Sequence, residues 1–416
     1  MNDFIQVLKK AVSVIPNDAN ILLQGDGEDL EISAVGTGLD VRFTITSNYK
    51  LDCCVNGKVL CNFLQSAKAT DIVLEQGKHS LIARFGDSEL ELPIYPSEVF
   101  PKFSEPTGDK VSIFAGDLRS ALRKVDFIPV QDWYQSFKAS VLFDYQYELL
   151  KVVASDDQRL AVVKIIVDEE KPLDHKKSLL SKDTVFGLKN VLPAQGEISL
   201  LFANNGLFFS HQTVGESIGI FAYLMTGEFP DYERVLPKNE LDACSIEVQK
   251  DKLTQSLSRA SLITDIVKIN VDNNLEVSGE SEKGKFKEII PAFELDGKVN
   301  ALFNVKYLLQ PLTHLEDEKA VLGFNENNYE HNDFIEQIAS RQFIISHPNL
   351  IEAFSILYFD NTSERPKRGA QSRQRAGNIR RFVKIIQQFE LTYDIYSMSP
   401  EQIIDLMPEE FSGWKR

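Results

Sequence analysis

Residues Gly279–Lys285, GESEKGK, have the glycine and lysine spacing of a phosphate-binding loop. The next position must then supply a hydroxyl for magnesium, and it is Phe286. Glu280 and Glu282 would repel a phosphate, and the flanking alternation reads as a hairpin, not as a strand leading into a helix. The six histidines are scattered, with no HExxH and no Ser/His/Asp set recognisable by spacing. Cys53, Cys54, Cys61 and Cys244 include an adjacent pair and no CxxC, which argues for buried thiols over a disulfide framework or a zinc site. No cofactor, no metal and no enzyme activity are expected.

The remaining chemistry is contact between cations and phosphates. The formal charge of −16 opposes a surface that grips nucleic acid everywhere, but a local basic face is compatible with it. Candidate phosphate contacts are Lys9, Lys10, Arg119, Arg123, Lys124, Lys252 and Arg259, with Lys58, Lys68, Lys182, Lys189 and Lys306. Simple solvation of the polar face of an amphipathic helix accounts equally well for any one of them. A second concentration runs from Arg365 to Lys384, which holds eight basic residues and no acidic one.

These residues recur at matching places. Phe4–Val12 (FIQVLKKAV), Asp117–Val125 (DLRSALRKV) and Lys252–Ala260 (KLTQSLSRA) superpose as amphipathic helices, with Phe4/Leu8, Leu118/Leu122 and Leu253/Leu257 as apolar pairs four apart. Lys10, Lys124 and Arg259 then fall in register. A second helical set follows in VNGKVLCNFL from Val55, LSKDTVFGLKNVL from Leu180 and FNVKYLLQPLTHL from Phe303. Between them, runs such as GEDLEISAVG, EISLLFANNGLFFSH and NNLEVSGESEKGKFKEIIPA alternate with a period of two around NG, GD and DN turns, as antiparallel strands do. At 416 residues the chain suits about two to four domains, and the pattern predicts one unit occurring three times.

The proline-rich stretches YPSEVFPKFSEPTG (95–108) and GEFPDYERVLP (227–237) cannot continue a helix and read as fixed connectors between units. Boundaries are therefore expected at 1–107, 108–238 and 239–328, with a tail at 329–416. No run of 18 apolar residues occurs, and the start MNDFIQVLKKAVSVIP lacks the features of a signal peptide, so a cytoplasmic protein is expected.

With this repeat in place, VVASDDQRLAVV (Val152–Val163) together with GEFPDYERVLP resembles the bacterial DNA polymerase III beta subunit, the sliding clamp, over residues 1–326. The resemblance implies an α+β DNA-clamp fold, in which three repeated domains each pack two helices on antiparallel sheets. It also implies a homodimeric ring around double-stranded DNA that serves as a processivity factor. Sequence-independent sliding suits phosphate contacts, which position without specifying. The family's cleft for short peptides of polymerases and the clamp loader maps onto Ser155, Arg159, Leu160, Pro230, Arg234 and Val235, although Asp157 and Gln158 replace the family's Gly and His. Its dimer contacts map onto Leu90, Leu92, Leu262 and Ile263. Leu160, Pro230 and Val235 also fit as core and connector residues, and both dimer pairs fit as ordinary core.

The chain departs from the family at both ends. It begins almost at the first helix, and after AVLGFNE it lacks a recognisable strand pair. The tail reads as mostly helical, from HPNLIEAFSILYF through NIRRFVKIIQQFELTYDIY to SPEQIIDLM, with SERPKRGAQSRQRAGN as a basic loop that either contacts phosphates or links helices. A tail that replaces the strands, adds a module or blocks the cleft fits equally. The alternative to a clamp is a clamp-derived regulatory or DNA-binding protein that closes no ring and acts through this tail.

Overall fold

A computed structural model describes residues 2–67, 72–102, 105–129, 136–156, 159–169, 173–235, 243–315, 318–325 and 355–360. Residues Met1–Asn361 form one compact unit, and Thr362–Arg416 a second that lies outside the described residues.

The elements recur in one order. The first run comprises α1 (Asn2–Val12), β1 (Asn20–Asp26), β2 (Asp29–Val35), β3 (Leu39–Thr46), β4 (Lys50–Asn56), α2 (Gly57–Leu64), β5 (Val73–Gln76), β6 (Ser80–Phe85) and β7 (Ser88–Pro93). The second comprises β8 (Asp109–Phe114), α3 (Ala115–Val125), β9 (Ser140–Gln146), β10 (Leu149–Ser155), β11 (Arg159–Ile166), β12 (Asp168–Glu169), β13 (Lys176–Ser181), α4 (Lys182–Val191), β14 (Glu197–Phe202), β15 (Gly206–Thr213) and β16 (Glu216–Tyr223). The third comprises β17 (Ala243–Gln249), α5 (Lys250–Ala260), β18 (Ile266–Val271), β19 (Leu275–Ser281), β20 (Gly284–Ile290), β21 (Ala292–Asp296), β22 (Val299–Asn304), α6 (Val305–His314) and β23 (Lys319–Asn325). A further strand, β24, covers Ser355–Asp360.

Local chemistry repeats with the topology. The second helix of each run starts on a side-chain cap that accepts from the first turn: Asn56 from Val59 N–H, Ser181 from Thr184 N–H and Asn304 from Lys306 N–H. Each first helix carries a basic residue in its last turn, where the helix dipole favours it. Phe4, Leu8, Leu118, Leu122, Leu253 and Leu257 are all buried, as their four-residue spacing requires.

A nine-stranded sheet, β12-β8-β14-β15-β16-β3-β2-β1-β4, runs from the second repeat into the first through the antiparallel pair β16 and β3. One hydrophobic core spans both repeats. Gly38 permits the close approach there, since a Cβ on it would stand 2.3 Å from Thr184 Oγ1. The third repeat has its own core, from Ile246 to Leu322. The helices are neighbours in one row, α2-α1-α4-α3-α6-α5.

The tail differs from its expected helical reading. Ser355–Asp360 is a strand and pairs with β11, Arg159 opposite Ser355 and Leu160 opposite Ile356. Ile-Leu-Tyr-Phe (356–359) is a continuous run rich in strand formers, and the edge of β11 offers unpaired backbone groups. The pairing is parallel, whereas β16 meets β3 antiparallel at the matching position one repeat earlier. The basic loop and the two later helical readings fall outside the described residues.

Candidate nucleic-acid and partner interfaces

The candidate phosphate contacts divide by their place in the helix row. Lys9, Arg123, Lys182, Lys252 and Lys306 are exposed. Lys10 and Arg119 are half-buried, and burial lowers both pKa values, with neighbouring cations (Arg119 beside Lys10, Arg123 beside Arg119) acting in the same direction. Glu216 beside Lys10 opposes the shift there. Lys124 is a correction: it is 5% exposed and belongs to the interior. Its helix α3 is flanked by α4 and α6, whereas α5, which presents the matching Arg259, ends the row among the described helices.

Several of the remaining cations already have partners. Arg259 makes a bidentate pair with Glu288, 2.6 Å at the shorter contact, which holds the Glu288 carboxyl below its usual range. Lys189 pairs with Asp126, and Lys58 donates to Asn17 Oδ1 at 2.7 Å. Lys68 lies outside the described residues.

Of the predicted cleft residues, Ser155, Arg159, Leu160 and Pro230 have described side chains. Ser155 is buried at the end of β10, opposite Leu160 on β11. Leu160 is 1% exposed and packs with Leu142, Val153, Val162, Leu179 and Tyr232 beneath the partly buried Met225 and Phe229. Pro230 is exposed above this cluster, and Arg234 and Val235 belong to a short 3-10 turn, Tyr232–Val235, with no described side chains. Arg159 turns away from the apolar cluster. Its side chain, 7% exposed, pairs with Asp156 at 2.5 Å and donates to Gln310 on α6. The connector thus covers Leu160, and α6 of the third repeat engages Arg159.

The dimer candidates also separate. Leu92 is 7% exposed and lies in the core, with Leu90 packed against it, since inward positions of β7 alternate with acidic ones. Leu262 is 72% exposed and Ile263 half-buried just beyond α5. The backbone edges are more telling. β7 closes the sheet β5-β6-β7, and β20 closes the sheet β20-β19-β18-β22, each with one edge unpaired among the described strands.

GESEKGK is the turn between β19 and β20, with Gly284 at φ 142° and Lys285 paired to Glu280 across the hairpin at 2.7 Å. Cys53, Cys54 and Cys61 are free and buried, and burial pushes the Cys53 thiol up to about 11, away from a nucleophilic thiolate. Among the described residues, no three His, Cys, Asp or Glu side chains are grouped to hold a metal ion. A surface concavity of about 660 Å³ is lined by Phe4, Ile45 and Tyr49 with Glu28, Asp29, Thr46 and Ser47.

Sequence reasoning missed Phe127, Tyr307, Gln310 and His314, which meet Arg159 or one another at the joint between the second and third repeats. Only the spacing of Tyr307, Gln310 and His314 along one face of α6 hinted at them.

Residues 233–331 match the family model for the DNA polymerase III beta subunit, C-terminal domain. The chain is 28% identical over 301 residues to the Beta sliding clamp of Helicobacter pylori, covering 68% of this chain and 76% of that protein. It is 26% identical over 326 residues to the Beta sliding clamp of Haemophilus influenzae, covering 73% and 84%. Among solved structures, the DNA polymerase III subunit beta from Pseudomonas aeruginosa superposes with a TM-score of 0.67 at 20% identity, over 79% of this chain and 95% of that one. The DNA polymerase sliding clamp from Bacillus subtilis gives 0.67 at 17% identity, over 78% and 91%. By sequence and fold together, the chain is similar to the bacterial beta sliding clamps.

Proposed function

We propose that this chain is a DNA sliding clamp, a cytoplasmic, non-enzymatic processivity factor that encircles duplex DNA as a homodimer. The observation that carries the reading is the thrice-repeated helix and sheet unit, whose six helices form one row opposite the sheets. A row presenting Lys9, Arg123, Lys182, Lys252 and Lys306 supplies the sequence-independent phosphate contacts that sliding needs, while the acidic remainder of the molecule repels DNA.

Ring closure follows from the repeat. β16 meets β3 between the first and second repeats. The equivalent strands left with open edges are β7 and β20, so a second copy placed head to tail brings β7 of one protomer to β20 of the other. The three domains then run 1–107, 108–238 and 239–328. Polymerase and clamp-loader peptides dock at the connector, where Phe229 and Met225 cover Leu160 and Pro230 is exposed.

The test is retention on nicked circular DNA. A ring stays bound at high salt on the circle and runs off after linearisation. Equal retention on both forms, falling steeply with salt, would reject enclosure in favour of simple electrostatic binding.

A further inference from the structure

Between the first and second repeats, one sheet and one apolar core cross the boundary. Between the second and third, the cores are separate, and Leu315 touches both. Beside Leu315 the side chains stack. The His314 ring lies parallel to that of Phe127, with centroids 4.3 Å apart and an interplanar angle of 14°. The Arg159 guanidinium stands 5.7 Å from the Phe127 centroid and 5.1 Å from the Tyr307 centroid. Asp156 grips the same guanidinium at 2.5 Å and accepts the Arg159 backbone N–H at 2.8 Å, while Gln310 accepts from its other end. Phe127 and Arg159 come from the second repeat, and Tyr307, Gln310 and His314 from one face of α6 in the third.

An apolar contact tolerates sliding and rotation, but this joint does not. Stacked rings and a planar guanidinium held by a carboxylate and an amide favour a narrow range of orientations. A guanidinium this buried is stable only while its partners stay in place, so rotation of one repeat against the other strips it of Gln310 and Tyr307 together. We propose that Tyr307, Arg159, Phe127 and His314 form a positioning stack that fixes the angle between the second and third repeats. Its consequence for DNA rests on the clamp reading: β20 lies in the third repeat, so the angle set here decides whether that edge reaches a partner's β7.

The experiment measures the angle without DNA. A fluorophore pair is carried on unnatural residues at positions 214 and 283, the exposed hairpin tips of the second and third repeats. Phe127→Leu and Arg159→Met keep apolar bulk while removing the ring or the charge. Each is expected to turn a narrow distance distribution into a broad one, and Phe127→Trp to restore the narrow one. His314→Leu, on a half-buried ring, gives the same reading should Phe127→Leu fail to fold. A distribution that stays narrow in Phe127→Leu or, failing that, in His314→Leu overturns the proposal. On nicked circular DNA the broadened variants should dissociate about tenfold faster, the factor expected for loss of one coupled contact. If the unaltered protein shows no retention on the circle, the clamp reading fails, while the distance measurement still decides the joint.

Discussion

Tyr232 Oη donates a 2.6 Å hydrogen bond to Asp144 Oδ2, tying the proline-rich connector to β9 of the β13-β9-β10-β11-β24 sheet. Asp144 also meets His175 Nε2 at 2.5 Å, and the Tyr232 ring packs on Leu160 and its neighbours. Burial and the adjacent Asp144 carboxylate both push the Tyr232 hydroxyl strongly up, so it stays a donor throughout the working range. Pro230 restrains the connector's backbone, and Tyr232 pins it to the core.

Tyr232→Phe should therefore destabilise the protein by about 1–3 kcal/mol, because it leaves a buried carboxylate short of one donor while keeping the ring. Thermal unfolding checks it, and a midpoint equal to that of the unaltered chain would mean His175 and Lys177 satisfy Asp144 alone.

His314 gives the joint a pH dependence. Burial lowers its pKa below the ordinary 6.5, with Lys189 acting in the same direction, while Asp126 and a hydrogen bond to the Arg123 backbone oppose the shift. The folded state thus prefers the neutral ring. That contribution is fully present above the unfolded value of 6.5 and is lost as the pH falls through it towards the lower folded value. Unfolding midpoints should fall between about pH 7.5 and about pH 5.5, and less so in His314→Phe, which keeps a ring on Phe127 but cannot titrate.

Lysines of the same helix row should behave in opposite ways. Lys182→Ala, Lys252→Ala or Lys306→Ala, at exposed sites, should leave folding intact and each lower the salt dependence of DNA binding by about one unit of slope. Lys124→Ala should lower the unfolding midpoint and leave the salt slope unchanged, since the side chain is interior. Equal salt slopes for all four variants would contradict the division.

The two predicted dimer pairs also part company. Leu262→Asp, at a residue 72% exposed, should keep the protomer folded and move its solution mass from twice 47.0 kDa to 47.0 kDa. Leu92→Asp places an unpaired carboxylate in the first repeat's core and should unfold it, by several kcal/mol. Light scattering with circular dichroism separates the two outcomes.

The sequence by itself determined the six helices, the hairpins and their threefold recurrence. Phe4/Leu8, Leu118/Leu122 and Leu253/Leu257 carry a helical period within a few residues, and the caps Asn56, Ser181 and Asn304 mark where the second helices start. Tertiary structure alone decided which of these side chains reach solvent. Lys124 and Arg259 occupy matching positions on matching helices, yet one is interior and the other exposed: among the described helices α3 has a neighbour on each flank and α5 on one. It also decided that Ser355–Asp360 is a strand, since an apolar run with no clear period takes its conformation from the free edge it meets. The stack of Tyr307, Arg159, Phe127 and His314 was invisible for the same reason. Its members lie far apart in the chain, and no local pattern records contacts that only the packing of two repeats creates.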